Sequence, residues 1–233
     1  MKKSWILAAS LLMSGSVFAE ALPIFSDYPA GPPRKEAFFN YFTPIIDQEN
    51  TTILANRNRL KKALADNLIS EEEKIFILSL ADKYKIKNFD ISSSDDKKTL
   101  LRRVDVIPRS MALAQSANES AWGTSRFATK GNNYFGQWCF SKGCGLIPLK
   151  RNAGASHEVA AFKSPKQSVQ RYMHNLNTHN AYKKLRLLRA AQRTKGEKVR
   201  GLELVKGLNK YSERGKEYVK ELSSMIRYNK LTD

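Results

Sequence analysis

Glu119 is the residue around which chemistry can be argued. It stands alone among small and polar neighbours in PRSMALAQSANESAWGTSRFATKGNNYFGQWCFSKGCG, residues 108–145. Pro108 suits the start of a helix and Gly123 the position just past its end, so the spacing predicts a helix between them. At 3.6 residues per turn, Ala112, Gln115, Ser116, Glu119 and Trp122 share one stripe, and Leu113, Ala117 and Ala121 another. Glu119 then projects from the last turn, where the negative end of the helix dipole disfavours a second negative charge. The neighbouring Trp122, Phe127, Tyr134, Phe135 and Trp138 would add desolvation, and both effects push a carboxyl pKa upward. A carboxylic acid still protonated near neutral pH is what protonates a leaving glycosidic oxygen. A Glu exposed at a helix end is the plain alternative.

The elements that must hold Glu119 are mostly helical. Residues 20–34, with four prolines, read as an extended surface segment. From Lys35 a helix carries Phe38, Phe39, Phe42, Ile45 and Ile46, with Pro44 expected to break or kink it, and a second follows to about Asp66. Ser70 and Glu73 form a capping-box start for a helix presenting Ile75, Ile77, Leu78, Ala81 and Tyr84. Residues 86–95 read as a loop. After the Glu119 helix, Gly131-Asn132-Asn133 is a turn. GLIPL and EVAAF are strand-like runs, predicting a small β-lobe facing a helical lobe across a cleft. Ser164 to Gln167 opens another capped helix with Val169, Tyr172, Met173 and Leu176 on its inner face. Three further helices carry Ala181, Leu185 and Leu188; Leu202, Val205 and Leu208; and Tyr218, Leu222, Met225 and Ile226. Residues 35–100 contain no convergent chemical set and read as a packing extension on the core, or as a separate module.

The segment AQSANESAWGTSRFATKGNNYFGQWC resembles the active-site segment of the bacterial glucosaminidase (mannosyl-glycoprotein endo-β-N-acetylglucosaminidase-like) family, most closely its exported Bax-type branch. The family pattern A-Q-x-x-x-E-S-x-W-G-x-S, then N-N-x-F-G, falls on Ala114, Gln115, Glu119, Ser120, Trp122, Gly123, Ser125, Asn132, Asn133, Phe135 and Gly136. The likeness runs through FKSPKQSVQRYMHNLNTHNAY and YSERGKEYVKEL, covering about residues 105–230. It implies a mainly α, lysozyme-like α+β fold over residues 101–233, with residues 20–100 as an N-terminal extension. It further implies cleavage of β-1,4 bonds in peptidoglycan glycan strands, with Glu119 as the acid and no cofactor. Trp122, Ser125, Asn133, Tyr134, Phe135, Gln137 and Trp138 are the substrate-binding candidates, with two of the four aromatics nearest the motif expected to be open to the cleft. Tyr211 matches the tyrosine the family carries near its glutamate, and orientation or hydrogen bonding is the role it implies, since a phenol of ordinary pKa is a poor base at neutral pH.

A second carboxylate is harder to find. Glu158 is the sole acid between Gly136 and Glu197, which makes it the first candidate for a catalytic base, against the alternative of a solvated strand residue. Family members often place an acid earlier in this lobe, and here that region has none. Assistance by the substrate's own N-acetyl group, or a tyrosine that positions water, would serve instead. His157, His174 and His179 form no zinc pattern, and no phosphate-binding Gly-rich loop occurs. Cys139 and Cys144 are expected to pair in an exported chain, fixing the turn after Trp138.

Residues 1–19, MKKSWILAASLLMSGSVFA, read as a secretory signal peptide, too short in its apolar run for a membrane anchor. Charge is lopsided: residues 20–141 carry 17 basic and 15 acidic residues, and residues 142–233 carry 21 and 7. Such an excess favours polyanions through attraction that salt weakens. For an exported, monomeric chain the expected partners are peptidoglycan strands and anionic envelope polymers, not nucleic acid. Two functions follow: a periplasmic or cell-envelope glycosidase, or a glycan-binding protein that keeps the cleft without the chemistry.

Overall fold

A computed structural model describes residues 22–66, 68–149, 151, 154 and 156–233. The leader expected at residues 1–19 lies outside them. The helices among these residues are α1 (Pro32–Ala65), α2 (Glu71–Lys83), α3 (Ser94–Arg103), α4 (Arg109–Glu119), α5 (Arg126–Gly131), α6 (Pro165–Thr178), α7 (Lys183–Thr194), α8 (Gly201–Leu204) and α9 (Lys216–Tyr228). Three short antiparallel strands, β1 (Trp138–Cys139), β2 (Gly145–Leu146) and β3 (Glu158–Ala160), pair in the order β1-β3-β2. The expected mainly α, lysozyme-like α+β architecture is therefore present. No helix among the described residues is long and apolar enough to cross a membrane.

The main core is built on α4, whose Met111, Ala112, Leu113, Ala114 and Ala117 are all buried. The small residues let neighbours approach closely. α6 contributes Val169, Tyr172, Met173 and Leu176 as its spacing predicted, and α9 contributes Tyr218, Leu222 and Ile226. The first half of α1 joins the same cluster through Phe38, Phe42, Ile46 and Ile53. Its second half caps a satellite core with α2 and α3, formed by Leu60, Ala63, Ile77, Leu80, Tyr84 and Leu100.

Four expectations are corrected. Pro44 does not divide α1, which runs unbroken for 34 residues; the Phe38, Phe42 and Ile46 rows on either side bury one continuous face that tertiary packing holds in place. The segment before α1 is not wholly superficial, since Phe25 is buried in a short 3-10 turn. α2 turns Ile77, Leu80, Ala81 and Tyr84 inward while Ile75 and Leu78 are exposed. The loop of residues 86–95 ends early, because Ser93 accepts a hydrogen bond from the Asp96 backbone and caps α3.

Candidate active site

α4 ends at Glu119, not at Trp122. Ser120 closes the helix, its Oγ donating to the Ser116 carbonyl at 2.6 Å and accepting from the Gly123 backbone N–H at 2.9 Å. The chain then passes through three consecutive left-handed residues, Ala121, Trp122 and Gly123. A Cβ on Gly123 would collide with the Phe25 ring at 2.2 Å, so the glycine is required by packing as well as by its φ of +80°. Trp122 consequently leaves the Glu119 stripe. It packs edge-on against Phe38 and Phe39 at 5.9 and 5.3 Å.

Glu119 is half-buried as the last helical residue. Its Oε1 accepts a hydrogen bond from the Tyr218 hydroxyl at 2.7 Å. Tyr218 accepts in turn from Gln115 Nε2 at 3.0 Å, and Gln115 Oε1 accepts from the Tyr172 hydroxyl at 2.5 Å. This buried relay fixes one carboxylate oxygen. The other, Oε2, faces the backbone of Gly136, where a Cβ would stand 3.1 Å from it. Burial raises the Glu119 pKa above the ordinary carboxylate range; the Tyr218 hydrogen bond, the Arg214 charge and the Asn118 amide oppose that rise, while the Glu221 charge adds to it. Glu221 is itself paired with Arg214 at 2.6 Å.

The residues of the N-N-x-F-G segment build the wall opposite. Asn133 is 1% exposed, and its amide donates to the carbonyls of Gln137 and Ala160, both at 2.8 Å, while its Oδ1 accepts from the backbone of Phe135 and Gln137. Gln137 donates to the Ser168 carbonyl at 3.0 Å, and Ser125 caps α5. Tyr134 is buried edge-on against Phe42 at 4.6 Å, and Phe135 is stacked on Tyr172 at 3.9 Å. Tyr134, Phe135 and Asn133 are thus internal and cannot stack on or reach a sugar; each holds the loop that presents Gly136 to Glu119. Among the substrate-binding candidates, Trp138 is 56% exposed and stacked on His157 at 4.2 Å, and Trp122 is partly exposed.

Tyr211 does not touch Glu119. Its hydroxyl donates to the Phe135 carbonyl at 2.7 Å, and its ring lies parallel to that of Tyr218, centroids 5.7 Å apart. Burial, first, and the nearby Tyr218 and Glu119 raise its pKa far above ordinary phenol values. Tyr218, which its spacing marks as a core residue, is also the side chain that reaches Glu119; burial and the Glu119 carboxylate raise its pKa too.

Glu158 sits on β3 with both oxygens engaged, Oε1 accepting from the Gly143 N–H at 2.9 Å and Oε2 from the Gly145 N–H at 2.8 Å. Those backbone hydrogen bonds lower its pKa. It pins the loop closed by the Cys139–Cys144 disulfide, which is formed as expected. A carboxylate held in this way is badly placed to activate water, so the geometry speaks against the base role suggested for Glu158.

Asn118 and Glu221, which both act on Glu119, also line an open groove of about 490 Å³ with Ala121, Trp122, Met225 and Tyr228. Lys35 Nζ lies there between two rings, 5.0 Å from Trp122 and 4.9 Å from Tyr228.

A half-buried glutamate at the end of a helix, held by Tyr218 with Tyr211 stacked behind it, defines a class. Residues 94–231 match the glucosaminidase family, described as mannosyl-glycoprotein endo-beta-N-acetylglucosaminidase, and the chain belongs to this family of glycan hydrolases. Within it the chain is of the Bax type. It is 36% identical over 214 residues to Protein bax of Escherichia coli (strain K12), covering 92% of this chain and 76% of that protein. No solved structure matches it.

Proposed function

We propose that the protein is an exported peptidoglycan hydrolase that cleaves β-1,4 glycosidic bonds as an endo-β-N-acetylglucosaminidase, with Glu119 as general acid. The observation that carries this reading is the Glu119 carboxyl: half-buried, raised in pKa, one oxygen held by Tyr218 and the other facing the backbone of Gly136. Because Oε1 accepts the Tyr218 proton, the acid proton resides on Oε2, the oxygen toward Gly136. Oε2 delivers it to the leaving glycosidic oxygen. Tyr211 acts through others, bracing the Tyr218 ring and the Phe135 carbonyl, and so keeps both sides of the site in register.

Neither Glu158, the candidate offered by the sequence, nor Glu221, whose charge acts on Glu119, is free. Glu158 is tied to backbone and Glu221 to Arg214. Attack by the substrate's own N-acetyl oxygen on the anomeric carbon is the course this supports, one of the recognised exceptions to the two-carboxylate scheme. Trp138 and Trp122 offer partly exposed apolar faces for sugar rings. The test is digestion of purified glycan strands followed by mass spectrometry of the new ends. Reducing N-acetylglucosamine ends support the reading. Reducing muramic acid ends make the protein a muramidase, anhydro-muramic ends make it a lytic transglycosylase, and no cleavage leaves a glycan-binding protein.

A further inference from the structure

The positive charge concentrated in the C-terminal segment is unevenly compensated where α7 meets α3. Arg57, Arg189 and Arg193 share one carboxylate, that of Asp105, at 3.5, 3.7 and 2.9 Å. Beside them lies a cavity of about 210 Å³ lined by Arg102, Arg103, Lys183 and Arg186 together with Thr99, Asn180 and Leu187, without any acidic residue. Arg186 is 5% exposed and pairs with no carboxylate among the described residues. Its Nη1 donates to the carbonyls of Leu176 and His179, both at 2.9 Å. Arg103 Nη1 donates to the carbonyls of Tyr84 and Lys85 at 2.6 and 2.9 Å, and Arg102 Nη2 to Thr99 Oγ1 at 2.9 Å.

Neutral acceptors thus fix three guanidinium groups in position without cancelling their charge. Burial lowers the Arg186 pKa to about 10, and the charges of Arg103 and Arg102 push the same way. Burying a cation without a counterion is costly, so an anion entering this cavity gains from every group around it. Rigid guanidinium forks match the geometry of a phosphate, and Lys183 on the exposed rim adds a movable point charge. Four cations exceed what a single carboxylate would neutralise.

We propose that this cavity binds a phosphate group, either free or carried on a lipid headgroup. The proposal goes beyond the hydrolase reading and stands apart from it, because no residue lining this cavity belongs to the Glu119 network. Catalysis can fail while the site binds, and the reverse.

The test uses the full chain at about 0.1 M salt, with two probes: inorganic pyrophosphate by titration calorimetry, and vesicles of phosphatidylglycerol in phosphatidylcholine by cosedimentation, against pure phosphatidylcholine. Arg102→Gln/Lys183→Gln is compared with Lys61→Gln/Lys87→Gln, which removes the same charge from exposed lysines elsewhere. The expected result is a loss of about tenfold or more in affinity for the cavity variant, against less than about twofold for the control. Should Arg102→Gln disturb folding, Lys183→Gln alone, at an exposed position, still weakens binding severalfold. Vesicles that displace pyrophosphate point to the headgroup, and pyrophosphate binding that vesicles do not disturb points to free phosphate; either supports the site. Wild type that binds neither probe, or equal losses in both double variants, overturns it.

Discussion

Gly136→Ala is the most instructive substitution, because the structure separates its two consequences. Gly136 has a φ of +60°, and an alanine in that left-handed conformation costs about 1 kcal/mol relative to glycine. Its new Cβ would lie 3.1 Å from Glu119 Oε2, inside the 3.4 Å at which ordinary contact begins. Oε1 is anchored by Tyr218, so the carboxylate can yield only by turning about that hydrogen bond. A displacement of a few tenths of an ångström is enough to cost about tenfold in turnover, given that about 1 Å can cost about a hundredfold. Gly196→Ala supplies the control: φ is +71°, and an added Cβ meets nothing within 4 Å. Both variants should lose about 1 kcal/mol, a fall of roughly 2–4 °C in Tm. Only Gly136→Ala should release soluble fragments from peptidoglycan about tenfold more slowly, with strand binding kept. Wild-type turnover in Gly136→Ala, or equal loss in both variants, would refute the claim that Gly136 sets the position of the acid.

Further expectations follow from the same contacts. Tyr218→Phe removes a donor that favours the ionised carboxylate, so the Glu119 pKa rises further; activity, which needs the protonated acid and falls as pH rises through that pKa, should extend to higher pH while its maximum drops, as a pH–rate profile would show. Glu158→Gln should keep most of its turnover on purified strands; a collapse of turnover in a folded variant would restore Glu158 as a base. Backbone hydrogen bonds depress the Glu158 pKa, so its contribution to the loop is present above the unfolded carboxylate pKa and disappears as pH falls through the lower folded value; the protection factors of the Gly143 and Gly145 amides, which take out the intrinsic pH dependence of exchange, should fall in acid for wild type and much less for Glu158→Gln. Asp105→Asn strips Arg57, Arg189 and Arg193 of their shared counterion; burial raises the Asp105 pKa, but Arg189, Arg193 and Arg57 together hold it low, and urea denaturation should show a loss of about 3–5 kcal/mol.

The place of Glu119 was legible because helix periodicity and small residues determine where α4 runs and what it can pack against. Its end was not. Three left-handed residues in a row, two of them not glycine, are held by Phe25 packing and the Ser120 hydroxyl, which no local propensity reveals. The substrate-binding candidates show a related limit. A motif says which residues recur together but not which way they point, and Asn133, Tyr134 and Phe135 point inward to shape the loop. Tyr218 was hidden for the opposite reason: its i, i+4 relation to Leu222 marks a core face, and only the approach of α9 to the end of α4 shows that the hydroxyl stops at Glu119. Glu158 looked available as a lone acid in its segment until the strand pairing brought the Gly143 and Gly145 amides onto it. Pro44 shows that a helix breaker yields when both flanks bury a common face.

The central claim rests on one proton. The direct measurement is release of soluble fragments from purified peptidoglycan by wild type and Glu119→Gln, with strand binding followed in the same samples. The account predicts a loss of cleavage of at least about a hundredfold in Glu119→Gln, the lower range for removal of a general acid, with binding retained. Equal cleavage by the two proteins would contradict it.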